Sequence, residues 1–115
     1  MTGEQDLVIT EVRDDAVGVI TLNRPDRLNA LGVEMTTAIT EAFAETDRER
    51  SVRVVILRGN GEGFCAGADV KADGGPAPDS EGRGRVGATY RAQEHLANMV
   101  LAVHECQKPV ITVAH

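Results

Sequence analysis

The feature that most limits how this chain can fold is a strand-like apolar run that passes directly into a loop of small residues. The run is Val52–Arg58, and the loop Gly59–Val70 reads GNGEGFCAGADV. Glycine and alanine leave the main chain uncovered, so another group can come close to the backbone. Backbone N–H groups held in fixed positions can stabilise developing negative charge, which acyl chemistry requires. The segment therefore predicts a buried strand that ends at a backbone-lined binding loop.

The residues before this strand predict a hairpin followed by a helix. Leu7–Arg13 and Val17–Leu22 alternate and are rich in β-branched residues, with Asp14-Asp15-Ala16 between them. Pro25 ends the second strand because it cannot donate to a ladder. Apolar residues at helical spacing then predict a helix over about Gly32–Arg50, with Gly32 as N-cap. Its stripe consists of Leu31, Met35, Ala38, Ile39, Ala42 and Phe43.

The strand before the loop and the residues after it predict a second strand–helix–strand unit. Val52–Leu57 is expected to be a third strand, buried on both faces, whereas Ala72–Gly87 has no apolar period and is predicted to be a flexible surface loop. A helix is predicted over about Ala88–Gln107 and should stop at Lys108-Pro109. Another buried strand is predicted over Val110–Ala114. The inward residues of the second helix should be Leu96, Met99, Val100 and Val103.

Composition and charge exclude several classes of protein. The 115 residues carry a net charge of −6, and the basic residues are scattered, so we expect no nucleic-acid surface. No apolar run approaches the roughly 20 residues of a membrane span, and the N-terminus has no signal-peptide core. Two cysteines, Cys65 and Cys106, are too few for a disulfide framework and fit reduced thiols. We therefore expect a soluble cytoplasmic protein without a membrane partner.

Nucleotide and metal chemistry fit the motifs poorly. Gly59 and Gly61 begin a dinucleotide-type glycine pattern, but its third glycine would fall at Phe64. His95 and His104 are nine positions apart and so lie on opposite sides of a helix. We predict no metal site.

Side-chain chemistry in the loop is equally limited. Cys65 has no neighbouring base, and packing beneath the loop is the favoured interpretation. Glu62 and Asp69 are the loop's acids, and turn or capping hydrogen bonds are the ordinary use of such an Asp. Lys71, with Arg24 and Arg27, forms a modest basic group for which solvated charge and contact with phosphate remain equally open.

Two motifs resemble those of the enoyl-CoA hydratase/isomerase (crotonase) superfamily. Ile20–Leu31 reads ITLNRPDRLNAL and is similar to the family's I-x-L-N-R-P-x-x-x-N-A-L, with Met35 in the expected place. Gly63–Lys71 reads GFCAGADVK and is similar to F-x-A-G-x-D-[IVL]. Lys108–Ile111 is a weaker third match. The motifs stand in the family's order and spacing, and the resemblance covers essentially the whole chain from about Leu7 onward.

The resemblance implies an α/β fold built as a crotonase-like spiral of ββα units, which binds acyl-CoA thioesters and assembles as trimers or dimers of trimers. It implies that the backbone N–H of Ala68 is one donor of an oxyanion hole that stabilises an enolate. Coenzyme A enters as part of the substrate, and no tightly bound cofactor is expected. The positions matching the family's CoA contacts are Arg27, Leu28, Ala66, Asp69, Val70 and Lys71.

The same resemblance implies that other parts of the machinery lie outside this chain. Family members are at least about twice this length, and their second oxyanion donor and both catalytic glutamates match positions beyond His115. We therefore expect residues 1–115 to be the N-terminal portion of a crotonase-like domain, incomplete and inactive alone. In hydratases the two glutamates add water across the 2,3 double bond. A non-catalytic fragment that binds CoA or associates with other subunits, and isomerase or thioester hydrolase activity, remain alternatives.

Overall fold

An antiparallel hairpin begins the fold, as the alternating sequence predicts. In the computed structural model, which describes residues 6–69 and 84–115, strand β1 is Val8–Val12 and strand β2 is Val17–Leu22. Val8 stands opposite Leu22 in this antiparallel pair. Arg13 N–H donates to the carbonyl of Val17, and the three-residue turn between them ends at Ala16 with a φ of +68°, the left-handed position of such a turn. The predicted hairpin is confirmed.

Two helix-linked crossovers complete the sheet. A short 3-10 turn, Pro25–Arg27, precedes helix α1, Val33–Arg48, and strand β3 follows at Val54–Gly59. Helix α2 spans Gly84–Glu105, and strand β4 spans Val110–Thr112. The sheet order is β1-β2-β3-β4, and β2, β3 and β4 run parallel.

The core lies between the sheet and α1, where Met35, Ile39, Ala42 and Phe43 of the predicted helical stripe are buried and Leu31 and Ala38 are half-buried. Gly32 is the N-cap of α1 in an extended conformation, as predicted. The C-terminal half of α1 comes so close to β2 that a Cβ on Gly18 would lie 2.8 Å from Cγ2 of Thr46. Helix α2 packs on α1 and adds partly buried residues such as Met99 and Val103. The buried core consists of Ile20, Leu22, Met35, Ile39, Ala42, Phe43, Val52 and Val55.

Several element boundaries differ from the sequence prediction, and the clearest differences are in β3, α2 and β4, which ends at Thr112 rather than Ala114. β3 begins at Val54 rather than Val52 and continues to Gly59, because the N–H of Val52 donates to the carbonyl of Glu49 in the turn after α1. α2 begins at Gly84, so the last four residues of the predicted loop 72–87 are helical. Glycine weakens a helix by only about 1 kcal/mol per residue, so a glycine-rich sequence does not forbid it. The rest of that predicted loop, residues 72–83, lies outside the described residues.

Two burial predictions are wrong, and the expectation that β3 is buried on both faces holds only in part, since Val55 is buried but Val54, Ile56 and Leu57 are half-buried. Val100 was expected to face inward but is 58% exposed, because the buried stripe of α2 is centred near Met99 and Val100 lies about 100° round the helix. β4 was expected to be buried, yet Ile111 and Val113 are 55% and 49% exposed. Strand alternation turns these two side chains to the face of the sheet opposite α1. Among the described residues, α1 packs mainly on β1 and β2 rather than on β4.

Candidate active site

The candidate site lies where the parallel strands end. β2 and β3 run in the same direction, so the loops that follow them leave the sheet at one edge. The backbone N–H of Asn60 donates to the carbonyl of Leu22 at 2.9 Å. The side-chain amide of Asn60 donates to Oδ1 of Asn23 at 3.0 Å. The two loops are therefore joined from their first residues onward.

The loop after β2 turns back towards the loop after β3 through two left-handed residues. Leu28 and Asn29 have φ values of +51° and +54°. The left-handed region is uncommon outside glycine, although asparagine tolerates it better than most residues. Asn29 is fully buried, whereas Leu28 is 47% exposed at the surface of the turn.

The glycine-rich loop is fixed to this turn by main-chain hydrogen bonds. Ala66 N–H donates to the carbonyl of Leu28 at 2.9 Å. Leu31 N–H donates to the carbonyl of Gly67 at 2.7 Å, and Asp69 N–H donates to the carbonyl of Leu31 at 3.1 Å. These bonds form a parallel bridge between Leu31 and Ala68. The loop thus has a defined main-chain path through residues 66–69.

This bridge determines the direction of the Ala68 N–H group. In a trans peptide the C=O and N–H point in opposite directions, and the described chain contains no cis peptide. Since the carbonyl of Gly67 points at Leu31, the N–H of Ala68 points away from Leu31. Among the described residues, no acceptor is paired with this N–H. Ala68 itself is exposed.

Asp69 lies directly after this N–H and is held by arginine. Its carboxylate is 3% exposed, and Nη2 of Arg27 lies 3.0 Å and 3.3 Å from its two oxygens. Nη1 of Arg24 lies 3.9 Å away. Both arginine side chains are about one-third exposed, 30% for Arg24 and 33% for Arg27. The cluster therefore ties the two loops together by charge and still leaves part of each arginine side chain exposed.

The structure brings together four of the residues that the resemblance assigns to CoA binding. Arg27, Leu28, Ala66 and Asp69 all lie on the two joined loops, beside Ala68. Leu28 and Ala66 are exposed, while the Asp69 carboxylate is turned inward to arginine. Val70 and Lys71 lie outside the described residues.

Cys65 has the packing role that the sequence predicts. Its thiol lies 3.3 Å from the carbonyl of Asn29 and donates to it, and the side chain packs against the core. Both cysteines are free thiols.

Sequence reasoning missed two residues at this edge. The amide of Asn29 donates to main-chain carbonyls of the glycine-rich loop, and its motif position was the available signal. His115 reaches the same loop from beyond β4, with Nε2 3.1 Å from the carbonyl of Gly61. Its carbonyl also accepts from Phe64 N–H at 3.2 Å. No local pattern in the sequence connects His115 with a loop 54 residues earlier.

Comparison with known proteins identifies the family. The family model for enoyl-CoA hydratase/isomerase matches residues 17–115. The chain belongs to the enoyl-CoA hydratase/isomerase family. A protein described as a probable enoyl-CoA hydratase from Mycobacterium leprae (strain TN) is 38% identical over 106 residues, which are 92% of this chain and 36% of that protein. The 3-hydroxyisobutyryl-CoA hydrolase 1 of Arabidopsis thaliana is 38% identical over 100 residues, 87% of this chain and 26% of that protein.

Solved structures of the family share the fold. The crystal structure of an enoyl-CoA hydratase from Mycobacterium smegmatis superposes with a TM-score of 0.79 at 31% identity. The match covers 96% of this chain and 40% of that enzyme. The expected α/β crotonase-like fold is confirmed for the matched part, and the chain spans well under half the length of these relatives.

Two further findings concern the described residues alone. Neither of their helices is long and apolar enough to cross a membrane. Within residues 6–69 and 84–115, no three His, Cys, Asp or Glu side chains come together as a metal site.

Proposed function

We propose that this chain binds acyl-CoA thioesters and polarises the thioester carbonyl through the backbone N–H of Ala68. The observation that carries the proposal is the direction of that N–H. It points away from the Leu31 bridge, its neighbours in the bridge are hydrogen bonded, and it has no partner among the described residues. A donor that is fixed before the ligand arrives needs little reorganisation when negative charge develops, which is the condition for an effective oxyanion hole.

The proposed chemistry is stabilisation of an enolate. The thioester oxygen accepts a hydrogen bond from Ala68 N–H, and this bond strengthens as the oxygen gains negative charge. Loss of one such donor typically costs about 3 kcal/mol of transition-state stabilisation. In a hydratase the polarised 2-enoyl thioester then takes up water. We assign the second donor and the acid and base to no residue of this chain.

The surrounding residues support contact with the CoA part of the ligand. We propose that the partly exposed side chain of Arg27 meets a phosphate and that Leu28 and Ala66 line the bound CoA. The inward carboxylate of Asp69 holds Arg27 at 3.0 Å, so we propose that Asp69 meets the ligand through its main chain. Val70 and Lys71 follow in sequence and complete the proposed contact set.

Hydration of a 2-enoyl-CoA is the reaction that we propose for the protein to which these residues belong. One similar protein is described as a hydratase and another as a hydrolase, so hydrolysis is the alternative reaction. Because general acid–base catalysis typically contributes 10²–10⁴-fold and we assign no acid or base here, we expect the 115-residue chain to bind without rapid turnover.

A labelled ligand tests the proposed function. Butyryl-CoA with ¹³C at the thioester carbonyl is titrated into the chain, and the C=O stretch is followed by infrared difference spectroscopy. We expect binding together with a lowered stretching frequency. CoA without an acyl group is the control for binding through the nucleotide alone. Binding with an unshifted stretch would refute the oxyanion role, and rapid loss of crotonyl-CoA absorbance would show that this chain already holds an acid and a base.

We also propose that the chain associates with copies of itself. Val100 and Leu101 on α2 are 58% and 49% exposed, and burial of apolar area against a second copy is favourable by about 25 cal/mol per Å². We expect light scattering after size exclusion to show oligomers and Leu101→Lys to shift them towards monomer. Thr37→Lys, on the exposed face of α1, is the control. A monomer at all concentrations would contradict this proposal.

A further inference from the structure

We infer that Asn29 is a positioning residue that holds the Ala68 N–H in place from beneath the glycine-rich loop. The inference rests on the proposed function for the consequence at the thioester. The contacts of Asn29 are independent of that proposal.

The Asn29 side chain connects both loops of the site through all its polar atoms. Nδ2 lies 3.0 Å, 3.2 Å and 3.0 Å from the carbonyls of Asn60, Gly63 and Phe64. Oδ1 accepts from the N–H of Arg24 at 2.7 Å. The two amide hydrogens are thus shared among three carbonyl oxygens of one loop, while the oxygen holds the start of the other. Asn29 is 0% exposed, so water does not supply these bonds.

The main chain around Asn29 continues the same attachment. Its carbonyl accepts from the Cys65 thiol at 3.3 Å, and the carbonyl of Leu28 accepts from Ala66 N–H. Two residues later, Leu31 forms the bridge that directs Ala68 N–H. The side chain therefore fixes residues 60–64, and the adjoining backbone fixes residues 65–69.

The structure is shaped to hold an amide at this position. A Cβ on Gly59 would lie 2.9 Å from Nδ2 of Asn29 and 2.5 Å from the carbonyl of Phe64. Because Gly59 has no side chain, the amide of Asn29 has room to reach the carbonyl of Phe64. Asn29 also adopts a φ of +54°, which asparagine, aspartate and glycine tolerate.

Two substitutions separate the amide from the backbone conformation. Asn29→Gly keeps the left-handed φ and removes every side-chain hydrogen bond. Asn29→Asp keeps the shape of the side chain and the oxygen that accepts from Arg24 N–H. It replaces the Nδ2 donor with a second oxygen, which then faces the carbonyls of the glycine-rich loop. Such a buried carboxylate is disfavoured, so its pKa should lie above the ordinary value of about 3.9. Protonation then restores one O–H donor.

The experiment measures the C=O stretch of bound ¹³C-butyryl-CoA at saturation, at pH 7 and at pH 5. We expect the wild-type shift to be the same at both values. Asn29→Gly should lose most of the shift at both, whereas Asn29→Asp should lose most of it at pH 7 and regain part of it at pH 5. Asn23→Ala is the matched control, since it removes an inter-loop hydrogen bond without touching residues 63–69, and it should keep the wild-type shift.

The possible outcomes distinguish this inference from the proposed function. A wild-type shift that persists in Asn29→Gly would overturn the positioning role and leave the proposed function standing. No shift in the wild type would refute the proposed function, and amide hydrogen exchange then tests Asn29 directly. Exchange at Ala66 and Asp69 should speed up in Asn29→Gly but not in Asn23→Ala, and equal exchange in both would overturn the inference. If circular dichroism shows Asn29→Gly unfolded, Asn29→Ser, which keeps one short donor, replaces it.

Discussion

Gly67 has a left-handed backbone conformation that the adjacent Ala66 and Ala68 do not share. Its φ is +96°, and a Cβ built there meets no atom within 4 Å. The position therefore requires glycine for its conformation and not for space. This conformation turns the carbonyl of Gly67 towards Leu31 and the N–H of Ala68 away from it.

Substitution of Gly67 should therefore be costly although the site is open. We expect Gly67→Ala to lower the free energy of unfolding by about 1–2 kcal/mol, the usual cost of a left-handed conformation for a residue with Cβ. Chemical denaturation measures this change. Gly63→Ala is the control, because Gly63 has no left-handed φ and its Cβ would lie 3.9 Å from Leu28. Equal losses in the two variants would contradict a conformational cause.

At the scale of elements, the residues after α2 cap the end of α1. Nζ of Lys108 donates to the carbonyls of Thr46 and Glu49 at 2.6 Å and 2.5 Å. The carboxylate of Asp47 accepts from Gln107 N–H at 2.9 Å and from the Cys106 thiol at 3.5 Å. Positive charge at a helix C-terminus is stabilising. Lys108-Pro109, which the sequence predicts only as a helix stop, therefore also joins the two helices.

The Cys106 thiol in this junction should make stability depend on alkaline pH. Burial first, with the nearby Asp47 carboxylate, raises the pKa of Cys106. The folded state then holds the thiol proton more tightly than the unfolded state, whose pKa is about 8.5. This contribution is complete below that pKa and is lost as pH rises through the higher folded value.

Urea unfolding at a series of pH values from about 8 to 9.5 measures the loss. We expect the free energy of unfolding to fall with pH in the wild type and in Cys65→Ala, which keeps Cys106. Cys106→Ala should show a flatter dependence. An equally steep fall in Cys106→Ala would assign the effect to other groups.

At the scale of the whole molecule, β1 forms one edge of the sheet. Arg13 N–H donates to the carbonyl of Val17, and Asn23 N–H donates to the carbonyl of Leu7. In an antiparallel strand, successive N–H groups point alternately towards the partner strand and away from it. Because Leu7 and Arg13 are in hydrogen-bonded pairs with β2, the N–H groups of Val8, Thr10 and Val12 point to the free edge. In the described part of the chain, no acceptor is paired with them.

Amide hydrogen exchange should reproduce this alternation. We expect Ile9 and Glu11 to exchange slowly and Thr10 and Val12 to exchange at least about tenfold faster, because only the inward amides are hydrogen bonded. The amides of β2 should be the slowest. Protection of Thr10 equal to that of Glu11 would show that another strand pairs with this edge, and dilution of the sample would then reveal whether that strand comes from a second copy.

The sequence predicted most of the elements because each depends on local spacing. β2 is Val17–Leu22, as predicted, and α1 differs from its predicted range by one or two residues at each end. The stripe of Met35, Ile39 and Phe43 needs only the helical period. Predictions were wrong where burial depended on a partner element. Val100 and Ile111 are apolar, but the sequence could not show which face of α2 or of β4 meets the rest of the fold.

The glycine-rich segment shows most clearly how the two levels of information differ. The sequence by itself determined that a strand passes into a loop of small residues, and its motifs pointed to a family that the comparisons established. Only the tertiary structure decided what holds that loop. Arg27, Asn29 and His115 reach it from 31 or more residues away in the sequence, and hydrogen bonds over such separations leave no local pattern. Those contacts together determine the direction of the Ala68 N–H, which could not be predicted from the glycines alone.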